Sequence, residues 1–149
     1  MKVTVMRPVE ILLVEDSPSD AELMLEALDA LQVQQSLSIV VDGVFAMEFL
    51  RRQGAYANAP RPDLILLDLN LPRKDGREVL AEIKADCELQ RIPVIVLTTS
   101  LAEKDIQQAY KLHTNCYIVK PMVFKDFLTV VESINYFWFN IAKLPTNFG

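Results

Sequence analysis

The sequence predicts an α/β protein: a five-stranded parallel sheet of order 2-1-3-4-5 with helices on both faces. Five short runs rich in Val, Ile and Leu are nearly continuous rather than alternating, as expected of strands buried on both faces in a parallel sheet. Between them lie segments with apolar residues at helical spacing, and that alternation implies right-handed crossovers and a three-layer sandwich. Four of the runs end in chemically loaded residues, Glu15-Asp16, Asp68, Thr98 and Lys120-Pro121. In an open parallel sheet the carboxyl ends of the strands share one ligand-binding edge; the order 2-1-3-4-5 is taken from known doubly wound sheets, and in it the first and third strands flank the switch point. Glu15, Asp16 and Asp68 should therefore be neighbours.

The strands are expected at Val9 to Val14 (VEILLV), Leu37 to Val41 (LSIVV), Leu64 to Leu67 (LILL), Pro93 to Thr98 (PVIVLT) and Cys116 to Val119 (CYIV). In the first helix Ala21, Met24, Leu25, Leu28 and Leu31 recur on one face, leaving Glu22, Glu26 and Asp29 for water. Ser17, Pro18 and Asp20 form its start, with Ser as N-cap, Pro at the first helical position and an acid in the first turn. Later helices follow from Phe45/Phe49/Leu50, from Val79/Leu80/Ile83 and from Ala102/Ile106/Ala109/Tyr110, and the last spans about Val123 to Lys143. The stretch GAYANAPRP, Gly54 to Pro62, is a loop lengthened by alanines and prolines, a connector within one domain.

A chain of 149 residues, 51% apolar and 23% charged, has ordinary globular composition and the size of a single domain. Its net charge of -5 argues against a nucleic-acid surface, which needs clustered Lys and Arg. The apolar runs are too short to span a bilayer, and Glu10, Glu15 and Asp16 flank the N-terminal one, so no signal peptide is indicated and a cytoplasmic location is expected. Cys87 and Cys116 form neither a disulfide framework nor a zinc pattern and are expected to be buried thiols.

Taken alone, Asp16 serves equally well as a helix-capping acid and as a site residue. Asp68, ending a separate buried strand, tips the balance, because acids brought together repel unless a cation or raised pKa values compensate. Magnesium suits such a site: it prefers oxygen ligands and is commonly held by one or two carboxylates plus a phosphate. A carboxylate can attack phosphorus directly to give an acyl phosphate, which makes Asp68 the candidate nucleophile. Lys120 and the Thr98 hydroxyl would then meet the equatorial phosphoryl oxygens. Taken alone, Lys120 is a solvated edge residue and Thr98-Thr99-Ser100 a strand end. A cis bond at Lys120-Pro121 would fix the direction of the ammonium; the sequence leaves the isomer open.

These residues resemble the response regulator receiver family of two-component signalling, whose fold is CheY-like. The resemblance rests on LLVEDS (Leu12 to Ser17), LILLDLNLPRKDG (Leu64 to Gly76), VIVLTTS (Val94 to Ser100) and CYIVKP (Cys116 to Pro121), and it covers the chain to about Ile134. It implies Asp68 as phosphoacceptor, Glu15 and Asp16 as the acidic pair at a magnesium ion, and Asn70 as donor of a backbone carbonyl to that ion. It further implies Thr98 and Tyr117 as switch residues, Lys120 on the phosphate, and Asn70 and Ser100 as residues that tune dephosphorylation. Glu15 stands where many receivers have Asp, which alters the metal geometry without abolishing it.

Within the family the chain is similar to the stand-alone regulators that partner cyanobacterial phytochrome histidine kinases. The features are FLRRQGAYANAPRPD (Phe49 to Asp63), KDGREVLAEIK (Lys74 to Lys84), LHTNCYIVKP (Leu112 to Pro121) and SINYFWFNIAKLP (Ser133 to Pro145). The implied mechanism is phosphorylation of Asp68, movement of Thr98 toward the phosphoryl group and inward repositioning of Tyr117. The protein would not be an enzyme beyond promoting its own phosphorylation and dephosphorylation. The implied partners are a histidine kinase and a second copy of the chain.

With no effector domain expected, output must come through association. Tyr136, Phe137, Trp138 and Phe139 are consecutive in the extended C-terminal segment from about 133, and at about 100° per residue they cannot all face one core. They form either a homodimer interface or a satellite cluster under the tail. His113, the only histidine, is a helix-end residue. A flavin carrier could share the fold, but Glu15-Asp16-Ser17 would repel its phosphate. A haloacid-dehalogenase-like phosphatase would need a second acid where Asn70 stands.

Overall fold

The computed structural model describes residues 8–145. Strands β1 (Val9–Val14), β2 (Gln35–Val40), β3 (Leu64–Leu67), β4 (Val94–Thr98) and β5 (Cys116–Val119) form one parallel sheet in the order β2-β1-β3-β4-β5, as expected. The helices are α1 (Pro18–Ala30), α2 (Gly43–Arg51), α3 (Gly76–Ala85), α4 (Glu103–Lys111) and α5 (Phe124–Ile134). Leu13 pairs with Leu66 and Leu66 with Ile95, so the central strands are buried on both faces.

Alternate residues of those strands feed two cores. Ile11, Leu13, Leu64, Leu66, Ile95 and Leu97 meet α1 and α5 through residues such as Met24, Leu28, Phe127 and Val131. Leu12, Val14, Ile65, Leu67 and Val96 meet α2 and α3 through Met47, Phe49, Val79, Leu80 and Ile83. Fully burying each of these apolar side chains contributes roughly 1.5–3 kcal/mol.

Local chemistry sets the helix starts. Ser17 caps α1 by accepting the Asp20 N–H at 3.3 Å, with Pro18 next to it, and Asp42 caps α2 by accepting the Phe45 N–H at 2.8 Å.

Several expectations are corrected. The second strand is Gln35–Val40 rather than Leu37 to Val41, and Val41 is exposed. As the edge strand it needs burial on neither rim, so polar Gln35 and Ser36 can extend the pairing opposite Val9 and Glu10. The fourth strand begins at Val94, because Pro93 has no N–H for the ladder. Leu25 and Tyr110 are exposed rather than core-facing; Ala27 and Ala109 hold the buried stripes. Ala102 is the N-cap of α4, not part of its apolar face.

The last helix does not run unbroken to Lys143. It is α-helical over Phe124–Ile134 and continues as a π-helix over Asn135–Ile141. Cys87 is exposed and Cys116 half-buried, against the expectation of buried thiols. The long connector holds a 3-10 turn, Gly54–Tyr56, whose tyrosine packs on Phe45 and Phe49 with centroids 6.3 and 5.4 Å away. No peptide bond among the described residues is cis, so Lys120-Pro121 is trans. His113 lies just past the end of α4 with a φ of 71°, a left-handed helix-end position.

Candidate functional site

The sheet's hydrogen bonding runs one residue beyond its strands and thereby places the loaded side chains. The Asp68 N–H donates to the Val14 carbonyl at 3.1 Å, the Glu15 N–H to Val40 at 3.0 Å and the Lys120 N–H to Thr98 at 2.7 Å. Each site residue is held by its backbone on the ordered sheet while its side chain is free to turn into the edge. Gly76, the first residue of α3, lies so close to the chain at Asp68 and Leu69 that an added Cβ would stand 2.6 Å from the Leu69 Cα. Glycine there permits the close approach of α3 to the site.

Carboxylate oxygens of Glu15, Asp16 and Asp68 all lie within 4.8 Å of one another, with Glu15 and Asp68 buried and Asp16 exposed. Opposite them the Lys120 ammonium donates to Glu15 Oε1, to Asp20 Oδ2 at 3.0 Å and to Asp68 Oδ2 at 3.3 Å. Burial pushes the Glu15 carboxyl up to about 7, against the pull of its bond to Lys120, and the Asp68 charge adds to the rise. Burial would lower the Lys120 ammonium. Its bond to Glu15 and the charges of Asp68 and Glu15 outweigh that and raise it, so it stays charged.

The donor set fits a divalent cation. All the groups are hard carboxylate oxygens, and four acids face one ammonium. Magnesium favours a few carboxylate oxygens completed by water, and one oxygen from each of Glu15, Asp16 and Asp68, all within 4.8 Å of one another, supplies such a set.

The remaining residues divide clearly. Asn70 reaches the site through its backbone, donating to Asp68 Oδ1 at 3.4 Å, and its side chain is exposed. Thr98 is fully buried, and its hydroxyl has no hydrogen-bond partner among the described residues. An unsatisfied buried hydroxyl costs roughly 1–3 kcal/mol, which is tolerable where a ligand oxygen can complete it. Tyr117 is half-buried against the α2 and α3 core, and its hydroxyl donates to the Ser100 carbonyl at 3.0 Å. The Ser100 hydroxyl is occupied: it donates to Asp105 Oδ2 at 2.6 Å and accepts from the Ala102 N–H at 3.2 Å, tying it to the start of α4.

The aromatic run splits. Tyr136 and Phe137 are exposed, whereas Trp138 and Phe139 pack on the α1 and α5 core.

Sequence reasoning missed three participants. Asp20 was read as a first-turn acid for the helix dipole, yet it contacts Lys120; the contact spans 100 residues of chain and leaves no local pattern. Arg73 braces the β3–α3 loop by donating to the buried Asp42 at 2.7 Å while lying 4.5 Å over the Phe45 ring. Arg77 on α3 bonds both Asp75 and Asp105, at 3.0 and 2.7 Å, and so straps α3 to α4. The Asp75-Gly76 pair is the local signal that could have marked this cluster, since Asp75 caps α3 and Gly76 allows its close approach.

Residues 11–132 match the family described as response regulator receiver domain. The chain is 54% identical over 138 residues to the response regulator Rcp1 of Synechocystis sp., covering 93% of this chain and 94% of that protein. Among solved structures it is similar to the phosphorylated cyanobacterial phytochrome response regulator RcpA, with a TM-score of 0.89, 53% identity and coverage of 93% and 99%. It is likewise similar to the Mn(2+)-bound form of Rcp1, with a TM-score of 0.88, 53% identity and coverage of 93% and 100%.

Proposed function

Because the chain belongs to the response regulator receiver family, we propose that it accepts a phosphoryl group from a histidine kinase on Asp68 and signals by changing its protein-binding surface. The observation that supports this best is the convergence of Glu15, Asp16, Asp68 and Lys120, from three separate strand ends, on one carboxylate-rich edge.

The Asp68 carboxylate acts as the nucleophile: its oxygen forms the new bond to phosphorus as the bond to the donor's imidazole nitrogen breaks. No base is needed, since attack by a carboxylate oxygen leaves no proton on the nucleophile to remove. Glu15, Asp16, Asp68 and the Asn70 carbonyl would hold magnesium or another divalent ion, which when bound would supply charge neutralisation to the transferring group. Lys120 turns from its acidic partners toward a phosphoryl oxygen, and its raised pKa keeps it cationic throughout. The unpaired Thr98 hydroxyl donates to another phosphoryl oxygen, and Tyr117, anchored on Ser100, transmits that shift to α4 and β5. Asn70 and Ser100 flank the phosphoryl group and tune its hydrolysis.

The relatives' phytochrome context supports a phytochrome histidine kinase as donor, a cytoplasmic setting and one receiver unit extending through the C-terminal aromatic segment. Tyr136 and Phe137 are the exposed apolar surface through which two copies associate as a homodimer. A flavin carrier is set aside because the first strand ends in buried and exposed acids that would repel a flavin phosphate.

The test is incubation with a small acyl-phosphate donor and magnesium, followed by intact mass measurement of wild type and Asp68→Asn. A mass gain of one phosphoryl group in wild type alone is expected; an equal gain in both removes Asp68 from its role.

A further inference from the structure

The extended segment from Phe49 to Asp63 has no part in the phosphoryl site. The end of α2, the residues leading into β3 and the connector from α3 to β4 meet at the amino-terminal edge of the sheet, opposite Asp68. There they form an open cleft of about 460 Å³, within the size range of ligand sites. Its floor is the buried Leu50, Pro62, Leu89 and Ile92, and its rim carries the guanidinium groups of Arg51, Arg52 and Arg61.

The charges at this cleft are not balanced. Arg51 pairs with Glu82 at 3.3 Å, and the Glu88 carboxylate is taken by Arg91 at 2.7 Å. Asp86 Oδ1 accepts the N–H groups of Glu88 and Leu89 at 2.8 and 3.1 Å, which orients the carboxylate and leaves its charge, so Arg51, Arg52 and Arg61 exceed Asp86 and Glu88 in the lining by one positive charge. Among the described residues Arg61 donates only to the neutral Glu88 carbonyl, at 2.6 Å, and Arg52 forms no ion pair. Arg52 moreover holds the C-cap of α2 in the left-handed conformation, φ 54° and ψ 51°, which costs a non-glycine residue about 1–2 kcal/mol. Two guanidiniums without carboxylates thus stand over an apolar floor on a chain whose net charge is -5.

We propose that this cleft is a docking site for an acidic segment of a protein partner. A partner carboxylate pairs with Arg52 and Arg61 while a neighbouring apolar side chain covers Leu50, Leu89 and Ile92. Arginine's planar fork suits a carboxylate. The open side of the cleft favours a polypeptide over a small molecule, because the rest of the partner shields what a small ligand would leave in water. Lying on the opposite edge, the site can hold a partner while Asp68 is exchanging its phosphoryl group, and its occupancy does not depend on that chemistry.

The experiment is an NMR titration of the unphosphorylated full chain with a blocked hexapeptide of alternating Glu and Leu. Saturable amide shifts confined to the cleft are expected, weakened about tenfold or more in Arg52→Gln/Arg61→Gln, as the loss of one charge-assisted pair implies. Both side chains reach the surface, so the variant's spectrum away from the cleft should be unchanged. The absence of saturable shifts overturns the proposal, as does equal binding of the Lys-for-Glu peptide or undiminished binding by the double variant. Inorganic phosphate binding as tightly as the peptide would equally overturn it, marking a free-anion site.

Discussion

Replacing Gly76 by alanine should damage phosphorylation through geometry alone. The new Cβ would stand 2.6 Å from the Leu69 Cα and 2.9 Å from its carbonyl oxygen, and closer still to the Asp68 carbonyl oxygen, where ordinary contact begins at 3.4 Å. These are backbone atoms that cannot rotate aside, and Leu69 is fully buried. The chain at Asp68 and Leu69 must therefore retreat from α3 by roughly 1 Å, an overpacking that costs about 1–3 kcal/mol. A misplacement of about 1 Å at a reacting group lowers rate by roughly 10²-fold. The assay is the initial rate of phosphoryl incorporation from a small acyl-phosphate donor at fixed magnesium, alongside urea unfolding. Gly54→Ala is the control: with a φ of 56° and nothing within 4 Å of the added Cβ, it should lose about 1–2 kcal/mol to backbone strain and leave the rate unchanged. A Gly76→Ala protein that is destabilised yet phosphorylated at the wild-type rate would refute the reasoning, as would an equal slowing by Gly54→Ala.

Lys120→Met strands the carboxylates of Glu15 and Asp68, whose side chains are 3% and 11% exposed, and should cost about 3–5 kcal/mol in metal-free urea unfolding at pH 8. Magnesium should restore part of that, and a cost near zero would show that the acids are adequately solvated without the ammonium. Glu15 titrates near 7 when folded and near 4.5 otherwise, so between those values the folded protein keeps a proton the unfolded chain has lost. Metal-free stability attributable to Glu15 should accordingly fall as pH rises through that window, while divalent-ion affinity climbs and binding below pH 7 releases a proton. Calorimetry at pH 6 in buffers of different ionisation enthalpy checks this; metal binding without proton release refutes it. Tyr136→Ser/Phe137→Ser should weaken self-association at a stability cost limited to the Phe137–Trp138 edge contact, about 1 kcal/mol, whereas truncation after Ser133 also removes Trp138 and Phe139 from the core. Unchanged sedimentation of the double variant would place any dimer contact elsewhere.

The legibility of this chain followed the physics of burial. Leu64 to Leu67 and Val94 to Thr98 were readable because strands buried on both faces admit little but aliphatic residues, and their ends mark the functional edge. The second strand was misplaced because an edge strand with one half-solvated face tolerates Gln35, Ser36 and Ser38. The break at Ile134 was invisible, since a π-helix and an α-helix of the same apolar residues leave nearly the same periodicity. Asp68 and Lys120 stood out through their positions after apolar runs, buried at β3 and half-buried at β5. Asp20, Arg73 and Asp105 did not, because their partners lie 100, 31 and 28 residues away.

The strand order came from likeness to known doubly wound sheets; by itself the sequence determined the fold class and the chemical identity of the reactive edge. Each of those depends on local patterns: apolar runs, alternation with helices and the residue that ends each strand. Tertiary structure alone decided that Lys120 bonds three acids at once, that Thr98 is left with an unpaired hydroxyl and that Arg52 and Arg61 overlook an apolar cleft. Those facts arise from side chains on separate elements meeting at close range, and a linear pattern carries no record of which distant groups share one dielectric environment.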